Sequence, residues 1–250
     1  MMTEEALEFL QKQNVAAADK SVKTDGQGHT FLIGGNVEEF VPDDMPEPIR
    51  VSSLSSIVDF IAGSSDARDA KELIVKIVSP TEVSLQGTLD AHGRRRTFMW
   101  AQPVMDRFDF ETWYDREEMN IALQSRFVPN DDQRALLKFI GNYKESTEQS
   151  ATDDGVTQVA SVRTGAASVN NVKVPNPVAL MPYRTFTEVD QPESEFIFRM
   201  HEGMRSALFE ADGGAWRNEA IKRIKDYFIS KIAGTDSELK NSEMKIVVLG

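Results

Sequence analysis

Apolar positions recur at two spacings along the chain, and the two spacings fall in separate blocks. Leu54, Ile57, Val58 and Ile61 share one face of a helix predicted over Leu54–Ala62, with Ser53 placed as its N-cap and Gly63 as its stop. The period then changes. Leu73–Val78 is nearly all apolar and predicts a central strand. Glu82–Leu89 alternates, with Val83, Leu85 and Leu89 on one side and Glu82, Ser84, Gln86 and Thr88 on the other. Asp90-Ala91-His92-Gly93 predicts a turn, and Arg95–Ala101 returns with Phe98 and Trp100 on one face, which makes an antiparallel meander.

Helical spacing resumes after Trp113-Tyr114. Asp115 and Glu118 stand as a capping box ahead of Met119, Ala122, Leu123 and Phe127, and Trp113-Tyr114 is placed to act as a hydrophobic staple. Asn130 and Gln133 repeat the box ahead of Leu136, Phe139, Ile140 and Tyr143. Val156–Glu210 reads as strand again. Asn170-Asn171 is expected as one hairpin turn, and Glu202-Gly203 as another between Glu195–His201 and Met204–Glu210. After Gly213-Gly214, Trp216–Ile232 is the strongest helix, with Ile221, Ile224, Phe228 and Ile232 as its inner stripe and Gly234 as its stop. Lys245–Leu249 is a closing strand that suits either the sheet or a neighbouring subunit.

The ends and connections are less patterned. Residues 4–18 predict a helix whose apolar stripe, Ala6, Leu7, Phe9 and Leu10, is thin, within an extended N-terminal helical segment over residues 1–22. Thr24–Thr30 reads as a turn, Phe31–Ile33 as a short strand and Pro42–Pro48 as a loop. The polar stretch from Lys144 to Asp154 marks the candidate subdomain boundary. Strand and helix clusters are segregated. The expected fold is therefore a single α+β domain over residues 1–250, with antiparallel sheets built from hairpins and meanders and flanking helices that include a long C-terminal one.

Composition removes several chemistries. Of 250 residues, 40% are hydrophobic, enough for a core. The absence of cysteine excludes disulfides, thiolate metal sites and thiol catalysis. Three histidines, His29, His92 and His201, do not suggest a histidine-rich metal centre. A net charge of −12 disfavours binding nucleic acid through bulk charge and favours solubility by self-repulsion. No apolar run suggests a membrane span, and Met1–Leu10 has acids where a signal peptide has bases, so a cytoplasmic location is expected.

No phosphate loop, Gly-x-Ser-x-Gly elbow or His-Glu-x-x-His helix is present. The most unusual segment is residues 174–199. Glu188, Asp190, Glu193 and Glu195, with Arg184 and Arg199 nearby, could act as hard oxygen ligands for magnesium. The favoured reading is instead a rigid corner: Pro182 and Pro192 set its turns, Phe186 and Phe196 anchor it, and arginines neutralise its acids. No metal, cofactor or catalytic residue is expected on that reading. Arg94, Arg95 and Arg96, with Trp100 as a stacking platform, form a candidate nucleic-acid contact, as do Lys222, Arg223 and Lys225 on the last helix, which also carries Arg217 and Lys231. A charged strand edge and pairing with the chain's own acids are the plainer explanations.

Residues 174–199 also carry a resemblance. The blocks Pro182-Tyr183-Arg184-Thr185-Phe186 and Gln191-Pro192-Glu193-Ser194, with Phe196, resemble the signature region of the YfdQ-like family of phage and prophage proteins. Asp154–Gln158, Thr164-Gly165 and the Trp113 to Phe127 region support the similarity. The resemblance implies a phage or prophage origin, and with it the cytoplasm of a bacterial host cell, and brings no activity or catalytic residues. Three functions are thus expected in order of support. The first is a non-enzymatic accessory protein acting as a homo-oligomer. The second is a nucleic-acid-binding or processing protein of phage recombination or host takeover, and the third is a binder of a small nucleotide ligand.

Overall fold

The alternation over residues 72–101 becomes the centre of a five-stranded sheet in the computed structural model. The structure describes residues 4–5, 7–12, 22–26, 29–33, 37–40, 45–90, 92–142, 151–153, 158–164, 168–174, 176–201, 205–233 and 244–250. Along the chain run β1 (Val22–Thr24), β2 (Thr30–Ile33), β3 (Val37–Phe40) and β4 (Ile49–Val51), then helices α1 (Ser55–Gly63) and α2 (Ser65–Arg68). Next come β5 (Glu72–Ser79), β6 (Glu82–Leu89), β7 (Arg95–Ala101), α3 (Arg116–Ser125), β8 (Phe127–Val128) and α4 (Asp131–Asn142). The second half holds β9 (Ala151–Asp153), β10 (Gln158–Thr164), β11 (Ser168–Val174), β12 (Val178–Pro182), β13 (Ser194–His201), β14 (Arg205–Glu210), α5 (Trp216–Ala233) and β15 (Lys245–Leu249).

The five-stranded sheet has the order β15-β5-β6-β7-β4. Its centre, β5-β6-β7, is the expected antiparallel meander. Its outer pairs are not antiparallel: β4 runs parallel to β7 and β15 parallel to β5. Both outer strands reach their partners through long connections carrying helices, and parallel pairing requires such crossovers. Helix α1 lies against β7, and α5 lies against β5 and β15. Leu54, Ile57, Ile61, Leu73, Val75, Val83, Leu85, Ile224 and Phe228 make the core of this layer pair.

A second cluster forms where β14-β13-β12-β8 pack with α3 and α4. Met119, Leu123, Phe127, Leu136, Phe139, Val178, Leu180, Phe196, Phe198 and Leu208 fill it. Its rings pack together: Phe108 stacks on Tyr114 at 4.9 Å and meets Phe127 edge-on at 5.1 Å, and Phe110 stacks on Phe196 at 5.0 Å. The remaining sheets are β1-β2-β3 and β11-β10-β9. The α+β class therefore holds, with two clusters of core residues. Residues 144–150 and 154, most of the candidate boundary, lie outside the described residues, as do 13–18 of the N-terminal helix and Gly234. Residues 4–5 and 7–12 are helical.

Several local expectations change. Asn170-Asn171 sits inside β11, where Asn171 pairs with Ser161, and the hairpin closes from Thr164 to Ser168 instead. Asparagine tolerates a turn without requiring one. Leu89 is exposed, because the β6–β7 register shifts between Leu85 and Gln86 and again before Leu89. The first shift leaves Phe98 unpaired, since Met99 faces Leu85 and Thr97 faces Gln86, so simple alternation fails there. The Asp115–Glu118 capping box forms in full. The second forms by half: Asn130 Oδ1 accepts from Gln133 N at 2.8 Å, but Gln133 Nε2 donates to Leu123 O at 2.7 Å, tying α4 to α3. Helix α1 starts at Ser55, one residue later than expected. Ser53 Oγ still accepts from Ser56 N at 3.3 Å, and Gly63 is the last helical residue. Tyr114 packs on Phe108, while Trp113 lies edge-on to His201 at 5.5 Å.

Candidate functional site

The loop between β12 and β13 is fastened by its own side chains. Gln191 is buried, and its Oε1 accepts from Arg184 N at 3.0 Å and Thr185 N at 3.2 Å. Its Nε2 donates to Phe186 O at 3.1 Å and Val189 O at 3.3 Å. One amide thus satisfies four backbone groups of a loop that has no ladder to satisfy them. Pro182 and Pro192, both buried, restrict the two ends of the loop. Outward ties then fix its place. Thr185 Oγ1 donates to Pro80 O at 2.6 Å, and Phe186 is fully buried in the first cluster while Phe196 is fully buried in the second.

Glu188 has a role that its sequence context does not reveal. Its two carboxylate oxygens accept from Leu54 N and Ser55 N, each at 2.7 Å. These N–H groups open α1 and have no partner within the helix. The acid that the sequence offered as a disfavoured magnesium ligand is a helix cap supplied from across the fold, where the positive end of the helix dipole also favours it.

Arg184 is the other buried centre. Its Nη1 donates to Glu210 at 2.9 Å, its Nη2 donates to Ser194 Oγ, and its guanidinium lies 3.9 Å over the Trp216 ring. Burial lowers its pKa to about 10, against the opposing pull of Glu210 and Asp212. Burial would raise the Asp212 carboxyl, but the Gly214 N–H, the Ser194 hydroxyl, the Trp216 N–H and the Arg184 charge together hold it below its ordinary 3.8. The expected pairing of arginines with the acids from Glu188 to Glu195 is therefore corrected. Arg184 pairs with Glu210, which lies on β14, while Glu188 takes backbone N–H groups.

Beside this loop lies a cleft of about 380 Å³. Val128, Met181 and Val189 supply its apolar lining, and Tyr183, Asp190 and Glu193 much of its polar lining. Arg223 also reaches it, with Nε on Glu219 at 2.9 Å and Nη1 on the Gln191 carbonyl at 3.1 Å. Among the described residues, no three His, Asp or Glu side chains are placed to hold a metal ion.

Most of the basic candidates are engaged within the chain. Arg94 Nε pairs with Asp90 at 2.9 Å, and the Arg94 N–H foremost, with that side chain and the His92 N–H, holds the Asp90 carboxyl below its ordinary value against its own desolvation. Arg95 donates to the Gly87 carbonyl. Arg96 pairs with Asp66 at 2.8 Å and lies 4.6 Å over Phe98. Trp100 is half-buried and faces Ser84 and Arg50 across the ladders. On α5, Lys225 donates to the Gly250 carbonyl at 3.3 Å and Lys222 is exposed.

The reading of the sequence missed Glu210, Asp212 and Trp216 as partners of Arg184. The only local signal was Asp212 preceding Gly213-Gly214, where its oxygens accept from Gly214 N at 2.9 Å and Trp216 N at 3.3 Å. Among the described residues, no helix is long and apolar enough to cross a membrane. No family model, no curated protein and no solved structure matches this chain.

Proposed function

We propose that the protein is a non-enzymatic accessory protein that works as a homo-oligomer. The phage or prophage setting and the host cytoplasm follow from the resemblance of residues 174–199 to YfdQ-like proteins. One observation carries the homo-oligomer: the N-terminal segment exposes apolar side chains that its own small sheet cannot cover. Val22 and Leu32 are cross-strand partners on one face, 46% and 44% exposed. Leu7, Phe9 and Leu10 on the preceding helical stretch are 52%, 62% and 46% exposed. A sheet of three strands, each of three or four residues, needs a further apolar face to be stable. Every copy carries the same patch, so a symmetric pair covers both at once.

Light scattering on the full chain tests this. The expected mass is a multiple of 28.0 kDa, and it falls in a variant carrying Leu7→Ser, Phe9→Ser and Leu10→Ser. A monomer across a wide concentration range overturns the proposal. The nucleic-acid reading has less support, because the guanidinium groups of Arg94, Arg95 and Arg96 are each engaged within the chain. The nucleotide reading has less support because two carboxylates line the cleft that a phosphate would enter.

A further inference from the structure

We propose that the cleft beside the 182–193 loop is a binding site for a cationic alkyl group, of the kind presented by a free alkylamine or by the side chain of a lysine. The charge of the cleft selects the sign of the ligand. The carboxylates of Asp190 and Glu193 have no hydrogen bond or ion pair among the described residues, and both residues are exposed. Among the described residues, the one cation in the lining is Arg223, which pairs with Glu219 and donates to the Gln191 carbonyl. The uncommitted charge of the cleft is therefore negative. An anion entering it meets two carboxylates, and a cation gains both.

The rest of the lining selects the shape. Val128, Met181 and Val189 give an apolar surface against which an alkyl stem loses water favourably. Tyr183 adds an aromatic side chain, whose ring face attracts an ammonium group. A cavity of about 380 Å³ accommodates a lysine-sized group with ease and lies near the lower limit for larger ligands.

Rigidity is the third element. Gln191 pins the loop from within, Thr185 ties it to Pro80, Phe186 is buried in the first cluster, and Glu188 is locked onto the start of α1. Asp190 and Glu193 thus stand on backbone that is ordered before any ligand arrives, so little ordering entropy is lost on binding. This inference is independent of the homo-oligomer proposal, since a monomer would carry the same cleft.

The test is calorimetric titration of the full chain at low salt with 1,5-diaminopentane and with N-acetyl-lysine amide, against 1-pentanol and inorganic phosphate as controls. Saturable binding of the amines is expected, weakening with added salt, with none for pentanol or phosphate. The double variant Asp190→Asn, Glu193→Gln is expected to lose at least about tenfold in amine affinity, while Lys222→Ala on the exposed face of α5 keeps it. The double variant replaces exposed groups, so it should fold, and its thermal midpoint checks this. Light scattering separates the two sources. Amine binding with an unchanged particle mass in the double variant supports a free ligand, and a fall in mass supports a lysine of a second copy. Absence of amine binding together with unchanged mass in a folded double variant overturns the proposal, as does phosphate binding as tightly as the amines.

Discussion

Removing the Glu188 carboxylate should loosen a helix that lies far away in sequence. The acid accepts from Leu54 N and Ser55 N at 2.7 Å, the first amide part-buried and the second exposed. A hydrogen bond to a charged group contributes about 1.5–3 kcal/mol when well shielded. Water can replace the partner of the exposed amide, which brings the pair towards the range for losing an N-cap, about 0.5–2 kcal/mol. The helix dipole adds about 0.3–1 kcal/mol. Glu188→Ala is therefore expected to cost about 2 kcal/mol, and at this chain length that lowers Tm by about 4–8 °C. Glu188→Gln keeps one acceptor but turns an NH₂ group towards an N–H, and about half of the loss is expected. Urea denaturation should show a lower midpoint at unchanged slope, and hydrogen exchange should quicken first at Leu54 and Ser55. Magnesium should leave the parent's stability unchanged, since both oxygens are already occupied. A Glu188→Ala protein within about 0.3 kcal/mol of the parent would refute the capping argument. So would a magnesium-dependent stabilisation that the substitution abolishes.

Phe186→Ala should cost about 3–5 kcal/mol by urea denaturation, because the ring is fully buried in the first cluster; a loss below about 1 kcal/mol would mean the site is not closed. Gly87→Ala places a methyl 3.0 Å from Phe98 Cε2, so the ring must shift, and a loss of about 1 kcal/mol is expected in the same assay. Asp212 is held below its ordinary 3.8, so its contacts stabilise the fold above about pH 4 and are lost as pH falls through the lower folded value. Asp212→Asn should flatten the fall in thermal midpoint within that acid window, and an unchanged acid profile would count against the assignment.

Local pattern carried much of the fold. The meander of β5, β6 and β7, the full capping box at Asp115 and the inner stripe of α5 all follow from periodicity and end chemistry, which act between residues close in sequence. The errors share a cause as well. Asn170-Asn171 looked like a turn because asparagine tolerates one, yet its backbone is extended by pairing with β10. Gln133 looked like half of a capping box, yet its amide found the end of α3. In each case a partner on a neighbouring element, about ten residues away, won over a preference set within a turn.

The same division runs through the candidate site. Residues 174–199 stood out by composition, and their prolines and buried phenylalanines behave as a rigid corner should. Composition alone could not show that Glu188 caps α1, that Arg184 pairs with Glu210 over Trp216, or that Asp190 and Glu193 are left facing a cleft. Periodicity determines which face of an element is apolar, because that depends on backbone geometry within a few residues. Which carboxylate meets which donor depends on how separate elements pack, and only the tertiary structure brings residue 188 to residue 54.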